Sequence, residues 1–206
     1  FMNIISLQVG YIMTNCYLVC DESSKLCAVV DPGGDADRIA AAMKEAGCRP
    51  GAVLLTHGHY DHTGGVKDLL ARFPGLPVYL NRRDVYPEED RHARRLFPDA
   101  GDTRDYDEGD TVTVGGLTFQ VLATPGHSAG SVTLRCGDAL LCGDTLFAGS
   151  MGRTDFTGGD DEAMMASLRR LGGLEGNLRV LPGHMSTSDL DTERAENFYL
   201  KTAMKA

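Results

Sequence analysis

The 206-residue chain has no apolar run near the ~18 residues needed to span a bilayer, and no basic start followed by a hydrophobic stretch of signal-peptide length. These absences argue against a membrane partner and make the cytoplasm the expected compartment. It also has no long Lys/Arg stripe: 20 basic residues stand against 29 acidic ones, for a formal net charge of -9. Such a surface repels phosphate backbones, so nucleic acid is not an expected partner. Cys16, Cys20, Cys27, Cys48, Cys136 and Cys142 are scattered and form no Cys-x-x-Cys pair, which excludes a zinc ribbon or thioredoxin-like site and leaves mostly buried, reduced thiols. There is no Pro- or Ser-rich linker and no internal repeat. One domain over residues 1–206 is therefore expected, long enough to bury a core without staples.

What the chain does have is a grammar of metal-favouring side chains: His57-Gly58-His59-Tyr60-Asp61-His62, then His127, Asp144 and His184. Each group follows a short apolar run: Ala52 to Leu55, Leu117 to Leu122, Ala139 to Cys142, and Val180-Leu181. Such runs bounded by Gly and Pro read as buried strands, with the polar groups in loops at their carboxyl ends, where α/β sheets gather their sites. Five imidazoles and two carboxylates exceed the three or four protein ligands of one zinc ion, so two metal ions are the simpler reading. Imidazole and carboxylate accept zinc, iron and manganese alike; zinc is the first expectation, with the other two as alternatives.

Around these groups the pattern predicts strands at Asn3 to Val9, Cys16 to Cys20 and Leu26 to Val30, and a helix capped by Asp35 with Ile39, Ala42, Met43 and Ala46 on one face and Gly47 ending it. Val66, Leu69, Leu70 and Phe73 mark a helix just beyond the histidine cluster, closed by Pro74. Val78 to Leu80 reads as a strand, and Arg82 to Arg95 as an exposed, partly helical excursion that could flank the site. Strands and Gly turns fill Thr111 to Leu141, Met164, Met165, Leu168 and Leu171 mark a third helix, and Leu190 to Lys201 a terminal one. The order fits a mixed α/β sandwich.

The pattern His57-x-His59-x-Asp61-His62 with His127, Asp144 and His184 resembles the metallo-β-lactamase superfamily from about Asp31 to His184. The resemblance implies a four-layer αββα sandwich in which His57, His59 and His127 hold one metal, Asp61, His62 and His184 the second, and Asp144 bridges both. The lactamase branch proper usually has cysteine at the place of Asp144. Gly143-Asp144-Thr145-Leu146-Phe147 and Gly152-Arg153-Thr154-Asp155-Phe156 look more like compact glyoxalase II-like hydrolases. Larger glyoxalase II enzymes carry an additional helical domain that helps bind glutathione, whereas only about twenty residues follow His184 here. The implied activity is thioester hydrolysis by a metal-bridging hydroxide, on a small-molecule substrate such as a glutathione conjugate. Asp61 is expected as a metal ligand first, and also as a proton acceptor for the attacking water.

Persulfide dioxygenases resemble the same scaffold, share the Gly-Arg-Thr-Asp-Phe segment, and use one iron with His57, His127 and Asp144 as counterpart ligands. A metal-binding module without turnover is the non-enzymatic reading. Asp31 is either the superfamily's aspartate that orients a metal histidine or a plain Asp-Pro-Gly turn. Arg153 pairs either with a substrate carboxylate or with a loop acid such as Asp155. Tyr60 either lines the pocket or packs, while His92 is expected in solvent and Cys142 in the core.

Overall fold

The computed structural model describes residues 1–206. Its first half contains β1 (Met2–Val9), β2 (Thr14–Asp21), β3 (Leu26–Val30), α1 (Ala36–Glu45), β4 (Arg49–Leu54), α2 (Tyr60–Thr63), α3 (Val66–Arg72), β5 (Val78–Tyr79) and α4 (Arg91–Leu96). The second contains β6 (Thr111–Val114), β7 (Leu117–Ala123), β8 (Val132–Cys136), β9 (Ala139–Gly143), the hairpin β10 (Leu146–Phe147) and β11 (Ser150–Met151), α5 (Asp161–Gly172), β12 (Arg179–Pro182), β13 (Ser188–Asp189), α6 (Leu190–Glu196) and α7 (Phe198–Lys205). Strands β1 to β5 form one sheet in chain order; the other runs β13-β12-β9-β8-β7-β6.

Both sheets are mixed. In the first, β1, β2 and β3 pair antiparallel, while β3, β4 and β5 are parallel. Parallel neighbours need a crossover, and α1 and α3 supply it. In the second, the parallel pair β9 and β12 is joined across α5.

Alternation along each strand divides the core into three. Tyr17, Val19, Ala28, Val30 and Leu54 face Phe119, Val121, Leu134 and Leu141 between the sheets. Leu18, Val29, Val53 and Leu55 face outward onto Ile39, Met43, Val66 and Leu69 of the helices. On the far side Leu140, Cys142 and Val180 meet Met164, Leu168, Leu171 and Leu200. Helices thus cover both outer faces, which is the expected αββα sandwich. Each large aliphatic side chain buried this way contributes about 1.5–3 kcal/mol. No helix is long and apolar enough to cross a membrane.

Three local expectations are corrected. Asp35 occupies the N-cap position of α1 but sits at φ 55 and ψ 45 and makes no side-chain cap bond. In this left-handed conformation its carboxylate instead accepts the Gly10 N–H at 2.9 Å and faces the Arg38 guanidinium at 3.3 Å. The terminal helix is two helices, because Asn197 between α6 and α7 is extended at φ -83 and ψ 112. The charged excursion contains a 3₁₀ turn at Arg82–Asp84 as well as α4, and it is anchored rather than wholly exposed: Asp84, Ala93 and Phe97 are buried.

Candidate metal centre

The seven candidate ligands leave the ends of four strands. Beyond β4 the chain passes through Thr56 to His57, Gly58 and His59, and α2 then carries Asp61 and His62. Beyond β7 lies His127, β9 ends one residue before Asp144, and β12 ends two residues before His184. The ligand-capable atoms of His57, His59 and His127 lie within 4.8 Å of one another, and so do those of Asp61, His62, Asp144 and His184. Asp144 stands between the groups: Oδ2 is 3.3 Å from His127 Nε2 and 3.5 Å from His184 Nε2, and Oδ1 is 3.3 Å from His62 Nε2.

The surrounding hydrogen bonds fix which nitrogens carry protons. His127 Nδ1 lies 2.7 Å from the Arg153 carbonyl, which can only accept, so Nδ1 donates and Nε2 presents a lone pair inward. His62 Nδ1 donates to the Asp31 carboxylate at 2.9 Å, so its Nε2 is the nitrogen turned toward Asp61 and Asp144, each at 3.3 Å. The Thr56 hydroxyl donates to the same Asp31 oxygen, at 2.6 Å, and therefore accepts from His57 Nδ1 at 3.0 Å. His59 instead turns Nδ1 toward His127 Nε2 at 3.0 Å, a line that requires a proton or a cation.

His57 Nε2, His62 Nε2 and Asp144 Oδ1 are buried and have no hydrogen-bond partner, as is His59 Nε2 on the other side of its ring. Leaving one such acceptor buried and unpaired costs about 1–3 kcal/mol. Several bare lone pairs and a carboxylate oxygen converging on one space fit a divalent cation, and an N/O donor set of this kind suits zinc, iron or manganese.

Charge is divided between the groups. Burial, reinforced by neighbouring histidines, holds His57 well below the usual imidazole range and lowers His59 to about 3. Burial also opposes the charge on His62, but Asp144 and Asp31 outweigh it and raise that imidazole well above its ordinary value. His184 is raised in the same way, burial being outweighed by Asp61 and Asp144. Asp61 and Asp144 are held below the usual carboxylate range, because facing histidines overcome the burial that would raise them.

Asp31 is both alternatives at once: a turn residue at φ 54 and the acceptor that orients His62 and, through Thr56, His57. Close packing holds this turn against the site, since a Cβ on Gly33 would overlap the Asp61 carbonyl oxygen. Arg153 pairs with Asp155 through two bonds of 2.6 Å, and its guanidinium lies 4.1 Å over the Phe156 ring. Tyr60 is half exposed at the cleft, His92 is exposed on α4, and Cys142 is buried with its thiol toward the Leu146 carbonyl.

Sequence reasoning missed the residues that tie these loops together. Asp84 is buried and accepts from Gly58 N–H at 2.9 Å, Gly130 N–H at 2.7 Å and the Ser128 hydroxyl at 2.7 Å, so one carboxylate joins the His57–His59 loop to the His127 loop. A Cβ on Gly130 would meet the Asp84 carboxylate at 2.7 Å, so glycine is required for this approach. Burial pushes the Asp84 carboxyl up, against its three donors. On the other side, Asn15 Nδ2 donates to the carbonyls of Pro182 at 3.0 Å and Met185 at 2.8 Å, and the Tyr17 hydroxyl donates to Pro182 at 2.7 Å. These bonds hold the His184 loop against the first sheet.

The centre opens into a cleft of about 490 Å³. Its lining includes Ile12, Leu96, Phe147, Arg153, Phe156 and Met185.

Residues 9–184 match the family model described as the metallo-β-lactamase superfamily. Among curated proteins, the chain is 34% identical over 204 residues to the probable metallo-hydrolase YqgX of Bacillus subtilis, covering 94% of this chain and 95% of that protein. It is 42% identical over 171 residues to a hydroxyacylglutathione hydrolase of Alkalilimnicola ehrlichii, covering 83% of this chain but only 61% of that longer protein. It is 32% identical to the hydroxyacylglutathione hydrolase GloC of Haemophilus influenzae over 98% of this chain and 99% of that one. Among solved structures, BLEG-1, a B3 metallo-β-lactamase, superposes with a TM-score of 0.85 at 32% identity, covering 96% and 99% of the two chains. TTHA1623 in a di-iron-bound form gives 0.80 at 34%, covering 95% and 99%. ETHE1 from Myxococcus xanthus gives 0.83 at 29%, covering 96% and 84%.

Proposed function

The chain belongs to the metallo-β-lactamase superfamily, and on that premise we propose that it is a metal-dependent hydrolase of thioesters, of the hydroxyacylglutathione hydrolase type. His57, His59 and His127 would hold one divalent ion and Asp61, His62 and His184 a second, with Asp144 shared between them. Zinc is the first choice, with iron or manganese as alternatives; the di-iron form of TTHA1623 supports including iron. The observation that carries the reading is the convergence of buried, unpaired donor atoms from both groups on Asp144.

A pair of divalent ions supplies hydroxide at neutral pH and polarises a carbonyl oxygen. The chain's own residues do the rest. Asp61 lies at the cleft, 2.9 Å from His184 Nε2, where its carboxylate can orient the attacking water or take its proton. The leaving thiol, with a pKa of about 8 to 9, departs as thiolate without a strong general acid, which suits a cleft whose acidic side chains are held ionised. Phe147 packs 6.1 Å from the His184 ring and Phe156 5.7 Å from the His59 ring, so aromatic surface borders both ligand groups. The names of the Alkalilimnicola and Haemophilus relatives support hydroxyacylglutathione as the first substrate to try.

The test is hydrolysis of S-lactoylglutathione by protein loaded in turn with zinc, iron(II) or manganese(II), with a β-lactam as comparison. Absence of metal-dependent thioester turnover sinks the proposal. The second reading, a mononuclear-iron persulfide dioxygenase, draws on the likeness to ETHE1 and on His57, His127 and Asp144 lying together. Oxygen uptake with glutathione persulfide, at one iron per chain, would favour it over hydrolysis.

A further inference from the structure

We propose that the cleft is permissive toward the thiol half of its substrate, so that thioesters of small uncharged thiols are hydrolysed as well as those of glutathione. The inference rests on the thioester reading and extends it to a further substrate class. Glutathione carries two carboxylates, and proteins recognise such groups through fixed Arg or Lys donors, above all the planar fork of arginine. Arg153 is the one Arg or Lys side chain lining the cleft. Its fork is already filled by Asp155, with Nε and Nη2 each 2.6 Å from a carboxylate oxygen, and its face lies on Phe156.

Of the adjoining grooves, the one at Met13 and Met185 holds Arg38, but its guanidinium is already taken up by the Gln8 carbonyl at 2.8 Å and the Asp35 carboxylate at 3.3 Å. The groove on the far side of Tyr60 is bordered by Gly10, Tyr11, Thr14, Gly34 and Asp35, and its charged groups, Asp35 and Asp61, are both acidic. The mouth is apolar instead: Ile12 and Met185 line the cleft while more than half exposed, at 52% and 54%, and Met13 stands beside them at 57%. Both arginines that line the cleft and these grooves, Arg153 and Arg38, thus already have a carboxylate partner.

The size of the effect follows from what such walls can discriminate. A site built to pair with a polar group rejects analogues that lack it by about 10⁴-fold or more, whereas apolar contact separates similar ligands by only about 10–200-fold. With no such polar partner, removing the glutathione carboxylates leaves the transition state nearly as well bound. The chemistry is unchanged: water adds to the acyl carbon, the C–S bond breaks, and the thiolate leaves and takes up a proton, giving carboxylic acid and thiol.

The experiment compares kcat/KM of the metal-loaded full chain for S-lactoylglutathione and S-lactoyl-N-acetylcysteamine, at about 0.02 and 0.5 M salt. The two values are expected within about 200-fold of each other, with little change across the salt range. A glutathione preference above about 10⁴-fold, or one that collapses in salt, overturns the proposal, and one between those limits counts against it. Turnover of neither ester overturns the thioester reading itself. Asp155→Ala provides a second arm by releasing the Arg153 fork: KM for the glutathione ester is expected to fall several-fold while KM for the N-acetylcysteamine ester stays put. An equal change in both would count against the proposal.

Discussion

The Asp31 carboxylate touches His62 Nδ1 at 2.9 Å with the same oxygen that accepts the Thr56 hydroxyl at 2.6 Å, so it governs one histidine in each ligand group. Partners of this kind set tautomer and ring orientation, and removing them costs about 10–100-fold in metal affinity. Asp31→Asn is expected to weaken both ions by that order, whereas Thr56→Val, which reaches only His57, weakens the first alone. Chelator competition followed ion by ion reads the difference. Equal losses in the two variants would show that the hydroxyl is not a relay.

Asp84 acts on the loops of the first group only, through Gly58, Ser128 and Gly130. Asp84→Asn keeps the volume but places an amide donor against donors. The ion held by His57, His59 and His127 is expected to lose about 10–100-fold in affinity, with the ion of Asp61, His62 and His184 little changed. Metal stoichiometry after dialysis against graded chelator measures this, and proportional loss of both ions would contradict it.

The contrast between Asp31 and Asp84 shows what could be read from the sequence. Asp31 ends an apolar run at an Asp-Pro-Gly turn, and His57, His127, Asp144 and His184 follow similar runs bounded by Gly or Pro, so strand periodicity marks their places before any contact is known. Asp84 lies in a charged stretch without periodicity, and its partners are 26 to 46 residues away. Asn15 is more remote still, bonding to Pro182 across 167 residues. The αββα layering was legible because alternation along β2 and β3 and the stripes on α1 and α5 are long enough to carry a period. The two-residue strands β10, β11 and β13 are too short to carry one. Asp35 reads as a cap by residue type, but its left-handed backbone sends the carboxylate to the Gly10 turn instead.

Asn197 divides the terminal helix and joins it to the β10–β11 hairpin. Its Oδ1 accepts from the N–H groups of Tyr199 and Leu200, and its Nδ2 donates to the carbonyls of Phe147 at 3.1 Å and Ser150 at 3.0 Å. Losing a helix cap costs about 1 kcal/mol, and each buried acceptor left unpaired about 1–3 kcal/mol. Asn197→Ala is therefore expected to lower unfolding stability by about 2–4 kcal/mol in urea titration. A loss under about 0.5 kcal/mol would mean that water replaces the bonds.

The division of charge between the two ligand groups predicts an order of metal release in acid. A nitrogen must lose its proton before it binds metal, so a raised imidazole competes from a higher pH and a lowered one does not compete until strongly acidic conditions. His62 and His184 are raised by facing carboxylates, while His57 and His59 are lowered by burial, His59 to about 3. Protons therefore displace the ion of Asp61, His62 and His184 first as the pH falls from about 8 toward 5. Single-group proteins separate the two: His184→Ala leaves the first group intact, and His59→Ala leaves the second. Dialysed at stepped pH, the His184→Ala protein is expected to retain its ion to a midpoint about one pH unit or more below that of His59→Ala. The reverse order would mean that Asp61 and Asp144 favour the cation over the proton strongly enough to cancel the raised imidazoles, and the charge division would then have no bearing on metal retention.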